Sequence, residues 1–258
     1  ASVVRAFVEH KLYSSPAMIK LYYMGPMFRH ERPQAGRYRQ FYQIGAEAFG
    51  MPAPALDVEI IFMLMEFFGK LGLINLDLHL NSLGCQDCRP RFKEALTDYL
   101  STGRPKLCSD CQKRVSQNPL RVLDCKNETC REWTTHAPSL IAFLCGPCND
   151  HFQEVQELLG LLKLPYQINT RLVRGLDYYT RTTFEIIAPG LGAQNAVAGG
   201  GRYDGLVEEL GGPPTPAIGF AIGVERLAAL LEESSRSFKP LIPQVFIAAL
   251  GEAAEREA

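Results

Sequence analysis

The sequence predicts an α+β fold, a mainly antiparallel β-sheet flanked by helices and interrupted by a mostly helical, cysteine-rich insert. Three observations carry this expectation. Two aromatic-rich, strand-like runs, 21–31 and 39–49, are joined by Arg32-Pro-Gln-Ala-Gly-Arg-Tyr38, where Pro33 and Gly36 suit a long hairpin loop between antiparallel strands. Strand signals cease after residue 81 and return after Pro165. Between them sit all eight cysteines, Cys85, Cys88, Cys108, Cys111, Cys125, Cys130, Cys145 and Cys148, in a chain whose flanks carry none. A secreted disulfide scaffold is short and cysteine-rich throughout, so this cluster marks a separate module instead.

Taken in order, residues 55–73 read as a helix whose apolar face is Leu56, Ile60, Met63, Leu64, Phe67 and Phe68. Residues 74–81 alternate strictly, with Ile74, Leu76, Leu78 and Leu80 on one side and Asn75, Asp77, His79 and Asn81 on the other, the pattern of a half-buried strand. The cysteine module runs from about Gly84 to about Asp150, and a helical segment follows at 151–162. Strands are expected at 166–171 and at 181–188, the latter from Thr182, Thr183, Phe184, Ile186 and Ile187. Residues 196–201 end in three glycines, 204–210 form a short helix, 217–222 a small-residue strand and 223–233 a helix. A lone strand is expected at 244–250.

Composition excludes several classes. With 258 residues, 47% hydrophobic, and 27 basic against 28 acidic side chains, the chain is a folded protein of one or two domains. Its net charge of −1 gives no global case for nucleic acid, so any basic patch must be local. No apolar run approaches the roughly 20 residues that span a bilayer. Arg5, Glu9 and Lys11 break up the first residues, which therefore lack the apolar core of a secretory signal; a cytoplasmic location is expected, with no membrane partner.

Five groups of residues carry candidate chemistry. Arg29, Arg32, Arg37 and Arg39 face only Glu31 in charge, and guanidinium forks on a hairpin suit a polyphosphate clamp, although a solvated charged turn has the same composition. Phe41, Gln43 and Glu47 lie at even spacings and share one face of the returning strand. Arg174-Gly-Leu-Asp-Tyr-Tyr179 offers a cation, an acceptor and hydroxyl donors, or alternatively a glycine turn with packed tyrosines. Gly199-Gly-Gly-Arg-Tyr-Asp-Gly205 permits close backbone approach to a ligand but does not fit the Rossmann spacing. Gly219-Phe-Ala-Ile-Gly-Val-Glu-Arg226 sets Arg226 in the first turn of a helix, where a guanidinium can stack on a base. No Walker A sequence occurs, since Gly69-Lys70 is followed by Leu71.

Together these residues resemble a known family. Phe28-Arg-His-Glu31, Gly36-Arg-Tyr-Arg-Gln-Phe41 and Gln43-Ile-Gly-Ala-Glu47 look like motif 2 of class II aminoacyl-tRNA synthetases, and Gly219 to Arg226 looks like motif 3. Arg174 to Tyr179 and Gly199 to Asp204 resemble the two histidine-specific signatures of histidyl-tRNA synthetases. The resemblance implies a class II sheet that activates L-histidine with ATP, carried as its Mg2+ complex, and transfers it to the 3′ end of tRNA(His). It assigns Arg29 to the α-phosphate and the histidine carboxylate, Glu31 to the adenine edge and Arg37 to the γ-phosphate. Phe41 and Arg226 sandwich the adenine. Gln43, Glu47, Tyr178 and Tyr179 contact the amino acid, and Arg174 stands beside the α-phosphate where other class II enzymes use magnesium. Arg29 and Arg174 are thus the expected catalytic residues. The implied division is catalytic core at 1–83 and 163–240, cysteine-rich insertion at 84–162, and the start of an anticodon-binding domain at 241–258. The family's motif 1 and an upstream acidic residue are expected before Ala1, making this the catalytic-core part of a longer, homodimeric enzyme. A non-catalytic regulatory or histidine-sensing paralogue is the alternative, and the retained Arg29, Arg37, Arg174 and Arg226 argue against it.

The cysteines form four close pairs, Cys85-x2-Cys88, Cys108-x2-Cys111, Cys125-x4-Cys130 and Cys145-x2-Cys148. Such chelating pairs suit two four-thiolate Zn2+ sites; reduced buried thiols and redox disulfides are the other readings of the same spacing. The segment holds ten Lys and Arg against eight Asp and Glu, an excess consistent with a clamp on the tRNA acceptor stem.

Overall fold

A computed structural model describes residues 1–15, 17–30, 38–173, 178–189, 195–234 and 251. Its centre is a seven-stranded sheet in the order β1-β2-β7-β6-β5-β3-β4. The strands are β1 (Ile19–Phe28), β2 (Gln40–Phe49), β3 (Asp77–Ser82), β4 (Gln167–Ile168), β5 (Thr180–Ile187), β6 (Ala196–Arg202) and β7 (Ala217–Gly223). Every neighbouring pair is antiparallel except β3 with β4, so the mainly antiparallel sheet is as expected. The two aromatic runs pair without a break from Ile19↔Phe49 to Phe28↔Gln40, and the hairpin loop between them springs from the end of that ladder.

Helix α2 (Pro54–Lys70) begins on a proline in its first turn and lays Leu56, Ile60, Ile61, Leu64 and Phe68 beneath the sheet. Helix α7 (Gly146–Leu161) packs beside it, adding Phe152, Val155 and Leu159 to the same core. Helix α1 (Ser2–Glu9) stacks Phe7 on Phe49, with centroids 4.2 Å apart and planes 11° from parallel. The short α8 (Leu206–Glu209) shares the Val4 and Phe7 core, and α9 (Val224–Glu233) leaves the sheet directly from β7.

The insert is a bundle of α3 (Arg89–Thr102), α4 (Ser109–Gln117), α5 (Leu120–Leu123) and α6 (Glu128–Thr134). It has its own core, built from Phe92, Leu96, Leu100, Val115, Val122 and the buried Cys111 and Cys130. By packing, α7 sides with the sheet although it lies inside the 84–162 span expected for the insertion. Among the described residues, no helix is long and apolar enough to cross a membrane.

Three expectations shift. The strand anticipated at 74–81 starts only at Asp77, and Ile74 is 81% exposed. Gly72, at φ 77°, turns the chain out of α2, and pairing becomes possible only where Asp77 meets Ile187. The strand anticipated at 166–171 shrinks to Gln167–Ile168, because it sits at the sheet edge and pairs only with His79 and Leu80. The helix anticipated at 151–162 starts five residues earlier, with a proline in its first turn. The strand expected at 244–250 lies outside the described residues.

Candidate active site

The register of β2, β7 and β6 builds two adjoining cavities on one face of the sheet. Gln43 pairs with Gly223, Glu47 with Gly219, and Gly199 with Ala221, so long side chains on β2 look across a floor of small residues. The first cavity, about 200 Å³, is lined by Arg29, Phe41, Gln43, Glu185 and Arg226. The second, about 600 Å³, is lined by Glu47, Tyr23, Tyr178, Tyr179 and Tyr203. Gln43, Gly199 and Ala221 belong to both, so the two open into each other.

Arg29 follows β1, and its backbone N–H donates to the Arg39 carbonyl at 2.8 Å, pinning the base of the hairpin loop. Its guanidinium lies 3.6 Å above the centre of the Phe41 ring. Arg226 stands in the first turn of α9 on the opposite wall and donates to the carbonyl of Ala196. Glu225 beside it accepts from the backbone N–H of Tyr42 at 2.7 Å, which ties the helix start to β2. Two cations and an aromatic ring in one lining suit a purine with a polyphosphate tail.

Glu47 governs the second cavity. Tyr203 donates its hydroxyl to the Glu47 carboxylate, and burial pushes the carboxyl up to about 7 against that hydrogen bond. Burial, then the charge of Glu47, raises Tyr23 and Tyr203, so both remain hydroxyl donors. Tyr178 and Tyr179 lie 4.8 Å apart, and each meets Tyr203 edge-on, so three rings wall the pocket. Gly219 is what admits the carboxylate, since a Cβ there would fall within it. Gly219→Ala is therefore expected to displace the Glu47 carboxylate and to lower stability by about 1–3 kcal/mol, measured as the urea midpoint; an unchanged midpoint would show that the carboxylate has another position.

Behind the pocket lies a buried network. Arg202, at the end of β6 and 0% exposed, donates to Asp57 of α2 at 2.9 Å, to the carbonyls of Met51 and Ala53 at 3.1 and 3.3 Å, and to Asp204 at 3.1 Å. His151 of α7 reaches the other Asp57 oxygen at 2.7 Å. Burial raises the Asp57 carboxyl, but the bonds from His151 and Arg202 and their charges outweigh it and hold the group below its ordinary value. This network locks α2 and α7 to the strand that delivers Tyr203.

Of the expected site residues, Arg29, Phe41, Gln43, Glu47, Tyr178, Tyr179 and Arg226 all line these two cavities. Glu31, Arg37 and Arg174 lie outside the described residues. Tyr203, Tyr23, Asp57 and His151 escaped the sequence reading. Tyr203 stands inside the Gly199 to Asp204 signature, where the sequence assigns a role to the glycine backbone and none to this side chain. The cysteines gather into two groups, Cys85 with Cys88, Cys145 and Cys148, and Cys108 with Cys111, Cys125 and Cys130.

Comparison with known proteins agrees with this geometry. The family model described as histidyl-tRNA synthetase matches residues 1–87 and 141–227, leaving out most of the insert. The chain is 57% identical over 258 residues to histidine–tRNA ligase of Syntrophotalea carbinolica, covering 100% of this chain and 61% of that protein. It is 54% identical to the Geobacter metallireducens enzyme of the same name, covering 100% and 62%. The chain thus spans about three fifths of the length of these relatives. The apo histidyl-tRNA synthetase of S. aureus superposes with a TM-score of 0.74 at 37% identity, over 99% of this chain and 62% of that one. A Bacillus halodurans protein titled as an ATP phosphoribosyltransferase regulatory subunit or histidyl-tRNA synthetase shares the fold, with a TM-score of 0.60 at 18% identity. With an arginine-lined cavity opening into one that holds a buried carboxylate, on a sheet matched by these relatives, the chain belongs to the histidyl-tRNA synthetase family.

Proposed function

We propose that this chain is the catalytic part of a histidine–tRNA ligase, which joins L-histidine to ATP as histidyl-adenylate with release of pyrophosphate. It then transfers the histidyl group to the 3′-terminal hydroxyl of tRNA(His), releasing AMP. The observation that carries this reading is the junction of the two cavities at Gln43, Gly199 and Ala221, which sets an amino-acid pocket against a nucleotide pocket. A histidine carboxylate in one then faces the α-phosphate of ATP·Mg2+ in the other. No general base is required for activation, because the attacking carboxylate is already an anion. Negative charge builds at phosphorus, and fixed guanidinium groups stabilise it better than mobile water does. Arg29 supplies one, Arg226 holds the nucleotide, and by resemblance Glu31, Arg37 and Arg174 add the adenine edge, the γ-phosphate contact and the second charge at the reacting phosphate.

Glu47 reads the imidazole. Ionised, it accepts a ring N–H on the oxygen that Tyr203 does not occupy; an amino acid without that donor leaves this oxygen of a buried carboxylate unsatisfied. Two expected results follow for Glu47→Gln. The KM for histidine rises by one to two orders of magnitude with the KM for ATP unchanged, and the improvement in wild-type histidine binding as pH rises through about 7 is lost. Stability moves oppositely: the folded carboxyl titrates near 7 and the unfolded one near 4.5, so the wild type loses stability as pH rises between these values. The glutamine variant should thus be about 2–3 kcal/mol more stable than wild type at pH 8, with the gap closing toward pH 4.5. Equal loss for both substrates would remove Glu47 from histidine recognition.

The insert is proposed to guide the tRNA end. A cavity of about 700 Å³ between it and the sheet is lined by Arg114, Arg121 and Lys126 together with Asp110, Asp124 and Glu185, and reaches Ala196 and Arg226 of the nucleotide pocket. The three cations on the insert side are groups that can pair with the phosphates of an acceptor strand. By the same resemblance, the whole enzyme is a cytoplasmic homodimer with its core at 1–83 and 163–240 and its insertion at 84–162. The decisive experiment is ATP–pyrophosphate exchange with each of the twenty amino acids, on this chain with its upstream segment restored. Exchange with histidine alone is expected; silence from the folded protein would favour a regulatory or histidine-sensing paralogue.

A further inference from the structure

We propose that the two cysteine groups are separate tetrathiolate zinc sites, one closing the root of the insert onto the catalytic sheet and the other fixing its outer turns. All eight thiols are free, and they sort into two sets of four whose sulfur atoms lie within 4.8 Å of one another. Burial alone gathers thiols into a core but does not divide them into closed fours. Within the sets, Cys85 and Cys88 Sγ are 3.6 Å apart, Cys85 and Cys145 Sγ 3.8 Å, and Cys108 and Cys125 Sγ 3.9 Å. A tetrahedron with metal–sulfur bonds of about 2.3 Å has edges of about 3.8 Å. A disulfide needs sulfurs about 2.05 Å apart. Spacing this tight holds one ion and leaves no room for a multi-iron cluster between the sulfurs.

The surroundings of the two sets match each other. In each, one pair opens a helix: Cys145 caps α7 with Cys148 in its first turn, and Cys108 caps α4 with Cys111 in its first turn. In each, the capping cysteine's backbone N–H donates at 3.2 Å to the last sulfur of the other pair, Cys145 to Cys88 and Cys108 to Cys130. N–H groups aimed at sulfur and two helix N-termini are what a zinc tetrathiolate, formally −2, requires for its excess charge. Gly84, at φ 58°, lets the first knuckle turn, and a Cβ there would lie 2.7 Å from Cys88 Cβ.

The two sites do different work. The root set bridges the strands of chain that enter and leave the insert, 57 residues apart between Cys88 and Cys145, and closing a loop of that length removes much of its unfolded freedom. It is bonded to the catalytic sheet as well: the Arg181 N–H donates to the Gly84 carbonyl at 2.8 Å, and Arg89 donates to the carbonyls of Leu83 and Tyr179. The outer set holds Cys108 and Cys125 on the rim of the cavity between insert and sheet, beside Lys126.

Metal analysis of the full chain, purified without added zinc or chelator, tests this directly. Two zinc ions per chain are expected, with cobalt exchanged into the protein giving the intense visible bands of tetrahedral thiolate coordination. Cys108→Ser with Cys111→Ser should lower the count from two to one. Releasing zinc from the unmodified protein with an organomercurial, followed by a colorimetric indicator, gives the same stoichiometry even where a root variant fails to fold. Fewer than two equivalents in folded wild type, iron in place of zinc, or an outer-site variant that still holds two would each overturn the proposal. Resting on the synthetase reading, the outer-site variant should keep histidine-dependent exchange within about twofold while losing at least tenfold in transfer to tRNA. The metal count does not depend on activity, so failure of that reading and failure of the zinc sites are read separately.

Discussion

Arg29→Ala is expected to slow histidine-dependent ATP–pyrophosphate exchange by about 10³-fold, the cost of removing one preorganised charged donor from a developing oxyanion. The argument is positional. Arg29 is fixed from both sides, its backbone by Arg39 and its guanidinium by the face of Phe41, so it stands in the wall of the first cavity without reorganising. A cation that moves with its ligand stabilises ground and transition states alike; one already in place favours the state with more charge. The stability cost should be small, about 0.5–1 kcal/mol for the lost cation–π contact, so a folded, inactive protein is the expected result. Arg29→Lys separates charge from geometry. It retains the positive charge but loses the planar fork, and an intermediate loss of about 10–10² is expected. A loss below tenfold for alanine would move the phosphate contact elsewhere.

Much of this site was legible because its residues are close in sequence and obey a period of two. Phe41, Gln43 and Glu47 share a strand face by arithmetic alone, and the antiparallel ladder from Ile19↔Phe49 to Phe28↔Gln40 preserves it. What stayed hidden is set by distant partners. Arg202 meets Asp57 across 145 residues, and nothing local marks either as buried; in sequence Asp57 looks like an ordinary acid in the first turn of a helix. Tyr203 carries a similar lesson, because its role depends on Glu47, which sits 156 residues away on a strand that is not its hydrogen-bonded neighbour. The cysteine spacing identified the pairs, yet only the path of the insert shows that Cys85 and Cys88 join Cys145 and Cys148 across the insert, leaving Cys108, Cys111, Cys125 and Cys130 to each other. Ile74 shows the converse: its alternation with Leu76, Leu78 and Leu80 is regular, but a strand begins only where a partner exists.

The largest effect on stability is expected at Asp57. Asp57→Ala leaves Arg202 and His151 without their common acceptor in a region from which water is excluded, and breaking a buried ion pair from one side costs about 3–5 kcal/mol. The pH dependence has a definite sign. The folded carboxyl titrates below its ordinary value of 3.8, so its contribution is complete above that value and is lost as pH falls through the lower, folded one. Wild type and variant should therefore differ in urea midpoint at pH 7 and converge in acid. A second comparison separates the cost of a stranded charge from the worth of the pair. Asp57→Leu combined with Arg202→Met and His151→Leu removes the acceptor and both of its buried donors at once, leaving only the part-exposed Asp204, and should lose less stability than Asp57→Ala alone. Function should not follow stability in that triple variant. Arg202 aligns the end of β6, and Tyr203, the next residue, donates to Glu47; loosening the strand should raise the KM for histidine several-fold at a temperature where the protein is fully folded. If the triple variant bound histidine as tightly as wild type, the network would be a fastening between α2, α7 and the sheet, with no part in holding the pocket.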